Sequence, residues 1–205
     1  MKTLHLSIII AAGMGVAAVF GGIILFSPHM FSFGSQNTSD GSQLAFAVSI
    51  NSTRIKTGQS MGMDISLTNP SSTTLVVNPQ HNWPLKKWSI GPCLFHLPFG
   101  MTLMQGDYTL DNMSQGQRLQ LYQSGVYMCK TIGIVDYVFE PSSSKATIET
   151  YNSTNYPVNM QYHIGFNGYY EGQKFRPLTE GIYTVIGEDR WGHILVNHFT
   201  VNNTD

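Results

Sequence analysis

Cys93, His96 and Met101 stand in the spacing C-x2-H-x4-M, which gathers a thiol, an imidazole and a thioether within nine residues. Soft sulfur ligands beside imidazole select copper over hard cations. Cys93 also has a competing use, because Cys129 is the one other cysteine of the chain. Outside the cytoplasm an even pair of cysteines in one domain is most simply a disulfide. Bridging Cys93 to Cys129 closes 37 residues, and chain entropy assigns such a loop about 4 kcal/mol. The expected use of the two cysteines is a disulfide stapling the middle of the chain. Copper at Cys93, His96 and Met101 is the alternative, and otherwise no cofactor is expected.

The other chemistry-bearing residues read as structure. His193 and His198 lie five apart on one expected strand, so they point to opposite faces. Met61 and Met63 share a face and read as a buried row. Glu188 and Asp189 fall at an expected hairpin and read as turn residues. Trp83, Trp88 and Trp191, with Tyr169 and Tyr170, read as buried aromatics before they read as a recognition patch. The sequence contains no H-E-x-x-H or G-x-x-x-x-G-K-[ST], the signatures of a zinc protease helix and a phosphate loop. Binding or structure is expected ahead of catalysis.

Composition narrows the classes further. Of 205 residues, 11% are charged, less than half of the roughly 25% of an average soluble chain. Hydrophobic residues reach 42%, enough for a packed core and too many for a disordered chain. Asn, Ser, Thr and Gln number 60, so uncharged polar groups must cover much of the surface. A net charge of −1 without runs of like charge argues against nucleic acid as a partner.

The elements that would carry these residues begin with an amino-terminal span. Residues 1–5 include Lys2, and Leu6 to Phe26 is uncharged. Twenty-one helical residues reach about 31 Å, the thickness of a bilayer core. A single transmembrane anchor at 6–26 is expected. A cleaved signal peptide is the competing reading, although Ser27-Pro28-His29 is not an A-x-A-like cleavage site. The next Lys or Arg after Lys2 is Arg54, so the positive-inside bias places the amino end in the cytoplasm. The remainder is then extracellular or pseudo-periplasmic. Residues 27–43, rich in Ser, Gly and Asn, read as a flexible tether.

From residue 44 the pattern has period two. Leu44, Phe46, Val48 and Ile50 alternate with small residues, and Met61, Met63, Ile65 and Leu67 alternate with Gly62, Asp64, Ser66 and Thr68. Further strands are expected at Thr73 to Val77, Thr102 to Leu103, Gln117 to Gln123, Val126 to Phe139, Ala146 to Tyr151 and Met160 to Phe166. The finish is a hairpin of Gly181 to Glu188 and His193 to Val201. Short strands punctuated by Gly, Pro and Asn, with no helical periodicity, indicate an antiparallel β-sandwich over 44–205. Gly181-Ile182-Tyr183 after Pro177 resembles the tyrosine corner of immunoglobulin-like folds. An immunoglobulin-like sandwich is therefore expected, with an elaborated insertion at about 83–141. Sequons at Asn37, Asn51, Asn112, Asn152 and Asn202 fall in expected loops and are glycosylation candidates.

The chain resembles a group of uncharacterised archaeal proteins with an amino-terminal anchor and one extracytoplasmic sandwich. The likeness is carried by Cys93 with Phe99-Gly100, by Gly125-Val126-Tyr127-Met128-Cys129, by Tyr137-Val138-Phe139-Glu140-Pro141 and by the closing Gly-x-Tyr-Thr-Val and His-Phe-Thr-Val segments. The resemblance implies a fold and a place at the membrane, and no chemistry. The expected function is a membrane-anchored binding or envelope-structural module with a protein or envelope partner. Alternatives are a copper-binding protein, since C-x2-H-x4-M is similar to the cupredoxin spacing, and an inhibitor of secreted proteases.

Overall fold

The computed structural model describes residues 40–79, 94, 96–123 and 132–203. The expected anchor at 6–26, both cysteines, Trp83, Trp88 and Asn37 lie outside these residues. Among the described residues no helix is long and apolar enough to cross a membrane. The chain is mostly β, arranged in several antiparallel sheets.

In the first sheet β1 (Ala45–Ile50) pairs with β3 (Met61–Thr68), and β3 pairs with β10 (Gln161–Phe166). The period-two pattern acts as expected: Met61, Met63, Ile65 and Leu67 are buried while Asp64 between them is exposed. The second sheet has the order β2 (Arg54–Lys56), β14 (Ile194–Asn202), β13 (Gly181–Asp189), β5 (Phe99–Gln105), β6 (Arg118–Leu119). Its ladders are antiparallel except for β2 beside β14, which run parallel. The chain thus enters on β1 in one sheet and crosses to the edge of the other at β2.

These two sheets pack face to face. Phe166 on β10 meets Phe199 on β14 edge-on at 6.3 Å, and Tyr183 stacks on Phe199 at 5.3 Å. At Gly187 the sheets come so close that a Cβ would lie 2.4 Å from Val48. A third sheet, β4 (Leu75–Val77), β7 (Ile134–Phe139), β8 (Lys145–Thr150) and β9 (Tyr156–Asn159), adds Val77, Tyr137, Phe139 and Ile148 to the same apolar core. A hairpin of β11 (Gly168–Glu171) and β12 (Lys174–Pro177) completes the described strands.

The stretch expected as an insertion supplies a central strand as well as additions. β5 is buried on both faces. Its Phe99, Met101 and Leu103 enter the main core, while Met104 packs outward against Met113 and Ile186. The segment after β5 folds back over that outer face. There Thr184 donates to the Gly106 carbonyl at 2.7 Å and accepts from the Tyr108 amide at 2.9 Å. A strand covered on both faces shows no alternation, so only Thr102 and Leu103 stood out in the sequence.

Tyr183 closes the turn ahead of β13. Its hydroxyl accepts from the Thr179 amide and donates to the Thr179 carbonyl, both at 3.0 Å, from a fully buried ring. Tyr183→Phe leaves both backbone groups without that partner, so a loss of about 1–3 kcal/mol is expected. Urea unfolding of the two proteins measures it; an unchanged midpoint would show that the corner contributes nothing.

Candidate functional site

The sequence-nominated residues are dispersed among the described elements. Met101 is 3% exposed, on the inner face of β5. His96 lies half-buried in the turn before β5, where its carbonyl accepts from the Tyr137 hydroxyl at 2.9 Å. Cys93 and Cys129 are outside the described residues, so the copper motif and the disulfide are not brought together within them. Among the described residues no group of three His, Cys, Asp or Glu side chains could hold a metal ion. Met61 and Met63 are core residues with no exposed surface.

The four described sequons occupy different settings. Asn152 is exposed in the turn after β8, with Ser153 at φ 55°. Asn51 is exposed after β1, its Oδ1 accepting from the Gly62 amide at 2.9 Å. Asn112 is half-buried, its Oδ1 accepting from the Thr109 amide at 2.7 Å. Asn202 is exposed as the last residue of β14.

Asp189 organises the β13–β14 turn from a fully buried position. Its Oδ1 accepts from the Trp191 and His193 amides at 2.9 Å, and its Oδ2 meets His193 Nδ1 at 2.6 Å. Gly192, at φ 98°, supplies the left-handed residue that the turn requires. Trp191 is held beneath this turn, edge-on to Tyr137 at 6.0 Å, with its indole N–H donating to the Asn78 carbonyl at 3.3 Å. A Cβ at Gly41 would overlap the Trp191 ring, so the packed module reaches back into the segment expected as tether. Burial pushes the Tyr137 hydroxyl up to about 12, partly opposed by the charge of Arg190. Asp189 therefore does the turn chemistry that its sequence context indicates, whereas Glu188 is fully buried within the β13 ladder, opposite Ile194 and Gly100.

The hydrogen bond to Asp189 raises the His193 pKa above 6.5, against an opposing effect of burial. A raised folded-state pKa gives stability that is full below the unfolded value and is lost as pH rises through the folded value. The melting temperature should fall as pH is raised from about 6 through that value, and His193→Gln should flatten this part of the profile. An identical slope in wild type and variant would contradict the coupling.

A concavity among the described residues has a different chemistry. It lies where the outward faces of the first and third sheets meet, and encloses about 640 Å³. The chain passes directly from β9 in one sheet to β10 in the other, and the buried Met160 forms the corner. The Met160 amide donates to the Ser144 carbonyl at 2.7 Å, and the Leu67 amide donates to the Met160 carbonyl at 2.9 Å. The Thr68 and Ser144 hydroxyls join the two walls at 2.7 Å.

Beneath the cleft Asn69 is fully buried with both ends of its side-chain amide hydrogen-bonded. Its Nδ2 donates to the Thr73 and Glu140 carbonyls at 2.8 and 3.1 Å, and its Oδ1 accepts from the Ser71 amide at 2.9 Å. This knot holds the Pro141–Ser144 turn, including Ser142 at φ 46°. Above it, Thr147, Asn159, Gln161 and Lys145 line the opening. Among the described residues the Thr147 hydroxyl, the Gln161 amide and the Lys145 ammonium form no protein hydrogen bond, and Asn159 uses only Oδ1, accepting from the Gln161 amide of the main chain. A rigid polar floor with unused donors and acceptors at its rim suits reversible binding of a polar ligand. Sequence reasoning missed this site, because Pro141-Ser142-Ser143-Ser144-Lys145 reads as an ordinary turn.

No protein-family model matches the chain, and a search of curated proteins finds no significant match.

Proposed function

We propose that the protein is a membrane-anchored, extracytoplasmic binding module built on an immunoglobulin-like β-sandwich. The observation that carries the binding role is the polar cleft between β8–β9 and β3–β10, with hydrogen-bonding groups left unused on a hydrogen-bonded framework. Three features support the immunoglobulin-like reading. The first strand divides between facing sheets, β1 antiparallel to β3 and β2 parallel to β14. The sheet orders are β1-β3-β10 and β2-β14-β13-β5-β6. Tyr183 bonds back to the main chain four residues upstream, as tyrosine corners do.

The anchor follows from the uncharged span 6–26 behind Lys2, long enough for a bilayer core. The reading is tested by alkaline carbonate extraction of membranes, together with the intact mass of the mature chain. The expected result is a membrane-retained protein that still contains residues 6–26. Release into the supernatant, or a mature chain beginning after residue 26, would replace the anchor with a cleaved leader.

A further inference from the structure

We infer that the cleft between the first and third sheets binds a neutral oligosaccharide, an inference that rests on the binding role proposed above and adds the ligand class. Three observations point to this chemistry. First, the opening presents a hydroxyl at Thr147, side-chain amides at Asn159 and Gln161, and serine hydroxyls below them. Such groups both donate and accept, matching sugar hydroxyls, which do the same. Second, the two charged residues of the lining, Lys145 and Glu140, have opposite signs, so the site has no net charge with which to select an ion. Third, Pro157, exposed on β9 opposite Thr147, places aliphatic surface beside these polar groups, as the C–H face of a pyranose requires. The volume of about 640 Å³ falls within the range of small-molecule sites.

The geometry favours a saccharide over an extended peptide. A peptide would dock by adding a strand to an exposed sheet edge, using main-chain hydrogen bonds. β9 is the edge of its sheet and forms one wall of the cleft, but it carries Pro157 within the strand. Proline in an edge strand turns its missing N–H toward the open side. A docking strand would lack a donor there, whereas a sugar needs only the side chains.

The test uses the full-length protein in a non-glycosidic detergent, because sugar-headed detergents would compete for the cleft. Tetrasaccharides of β-1,4-glucose, α-1,4-glucose, β-1,4-N-acetylglucosamine and α-1,6-mannose, and a neutral Ser/Thr-rich peptide, are titrated by calorimetry. The same titrations are run on Asn159→Ala/Gln161→Ala, both exposed positions, with its melting temperature measured alongside. Saturable binding of at least one tetrasaccharide is expected, weakened about tenfold or more in the double variant at an unchanged melting temperature. Silence of all four sugars at about 10 mM, or equal binding by the double variant, would overturn the inference. Binding of the peptide with the sugars silent would also overturn it, while leaving the broader binding role intact.

Discussion

Asp189→Ala should destabilise the folded module by about 3–5 kcal/mol, among the largest losses expected from any single polar substitution. The side chain accepts from two main-chain amides and faces the His193 ring, all from a position with no solvent exposure. Alanine leaves those donors without a partner where water cannot replace it, and an unsatisfied buried donor costs about 1–3 kcal/mol. Asp189→Asn separates the contributions. Its carboxamide oxygen can still accept from Trp191 and His193, so the loss should fall to about 1–2 kcal/mol. Thermal unfolding at neutral pH measures both. Equal, small shifts for the two variants would show that the turn is held by Trp191 packing alone.

Phe199→Ala should cost about 3–5 kcal/mol, because a buried aromatic is lost together with the cavity it leaves. Phe199 stacks on Tyr183 within its own sheet and meets Phe166 of the opposite sheet, so it links the two layers. Phe175 on the β11–β12 hairpin is the control. It is 44% exposed and touches Tyr170 edge-on at 5.5 Å, so Phe175→Ala should cost under about 1 kcal/mol. Comparable losses at the two positions would mean that the facing sheets do not share the core described here.

Legibility in the sequence tracked how each strand is covered. β3 has one buried face, and its alternation from Met61 to Thr68 identified it to the residue. The β13–β14 hairpin was equally clear, with Asp189-Arg190-Trp191-Gly192 marking its turn. β5 was visible only as Thr102 and Leu103, because burial on both faces removes the period. β2, β9, β11 and β12 are only three or four residues long. Each is a strand because a partner sits beside it, not because of its own propensity.

The sites divide in the same way. Asp189 and His193 are four apart, and a turn between them could be read directly. The cleft is assembled from Thr68, the 142–147 segment and the 157–161 segment, each a plausible loop or edge when taken alone. C-x2-H-x4-M is only partly visible among the described residues, because Cys93 lies outside them. Met101 turns into the main core, while the carbonyl of His96 serves Tyr137.

External protease treatment of intact cells, followed by glycopeptide mapping, tests the central claim most directly. On the proposed topology, with the amino end in the cytoplasm, residues beyond the proposed anchor should be cleaved without lysis. Exposed Asn152, in its turn after β8, is the sequon expected to carry a glycan, since modification requires an accessible loop outside the cytoplasm. Digestion of the module in intact cells together with a modified Asn152 is the predicted result. A module fully protected until lysis, with every sequon unmodified, would place it in the cytoplasm and contradict the account.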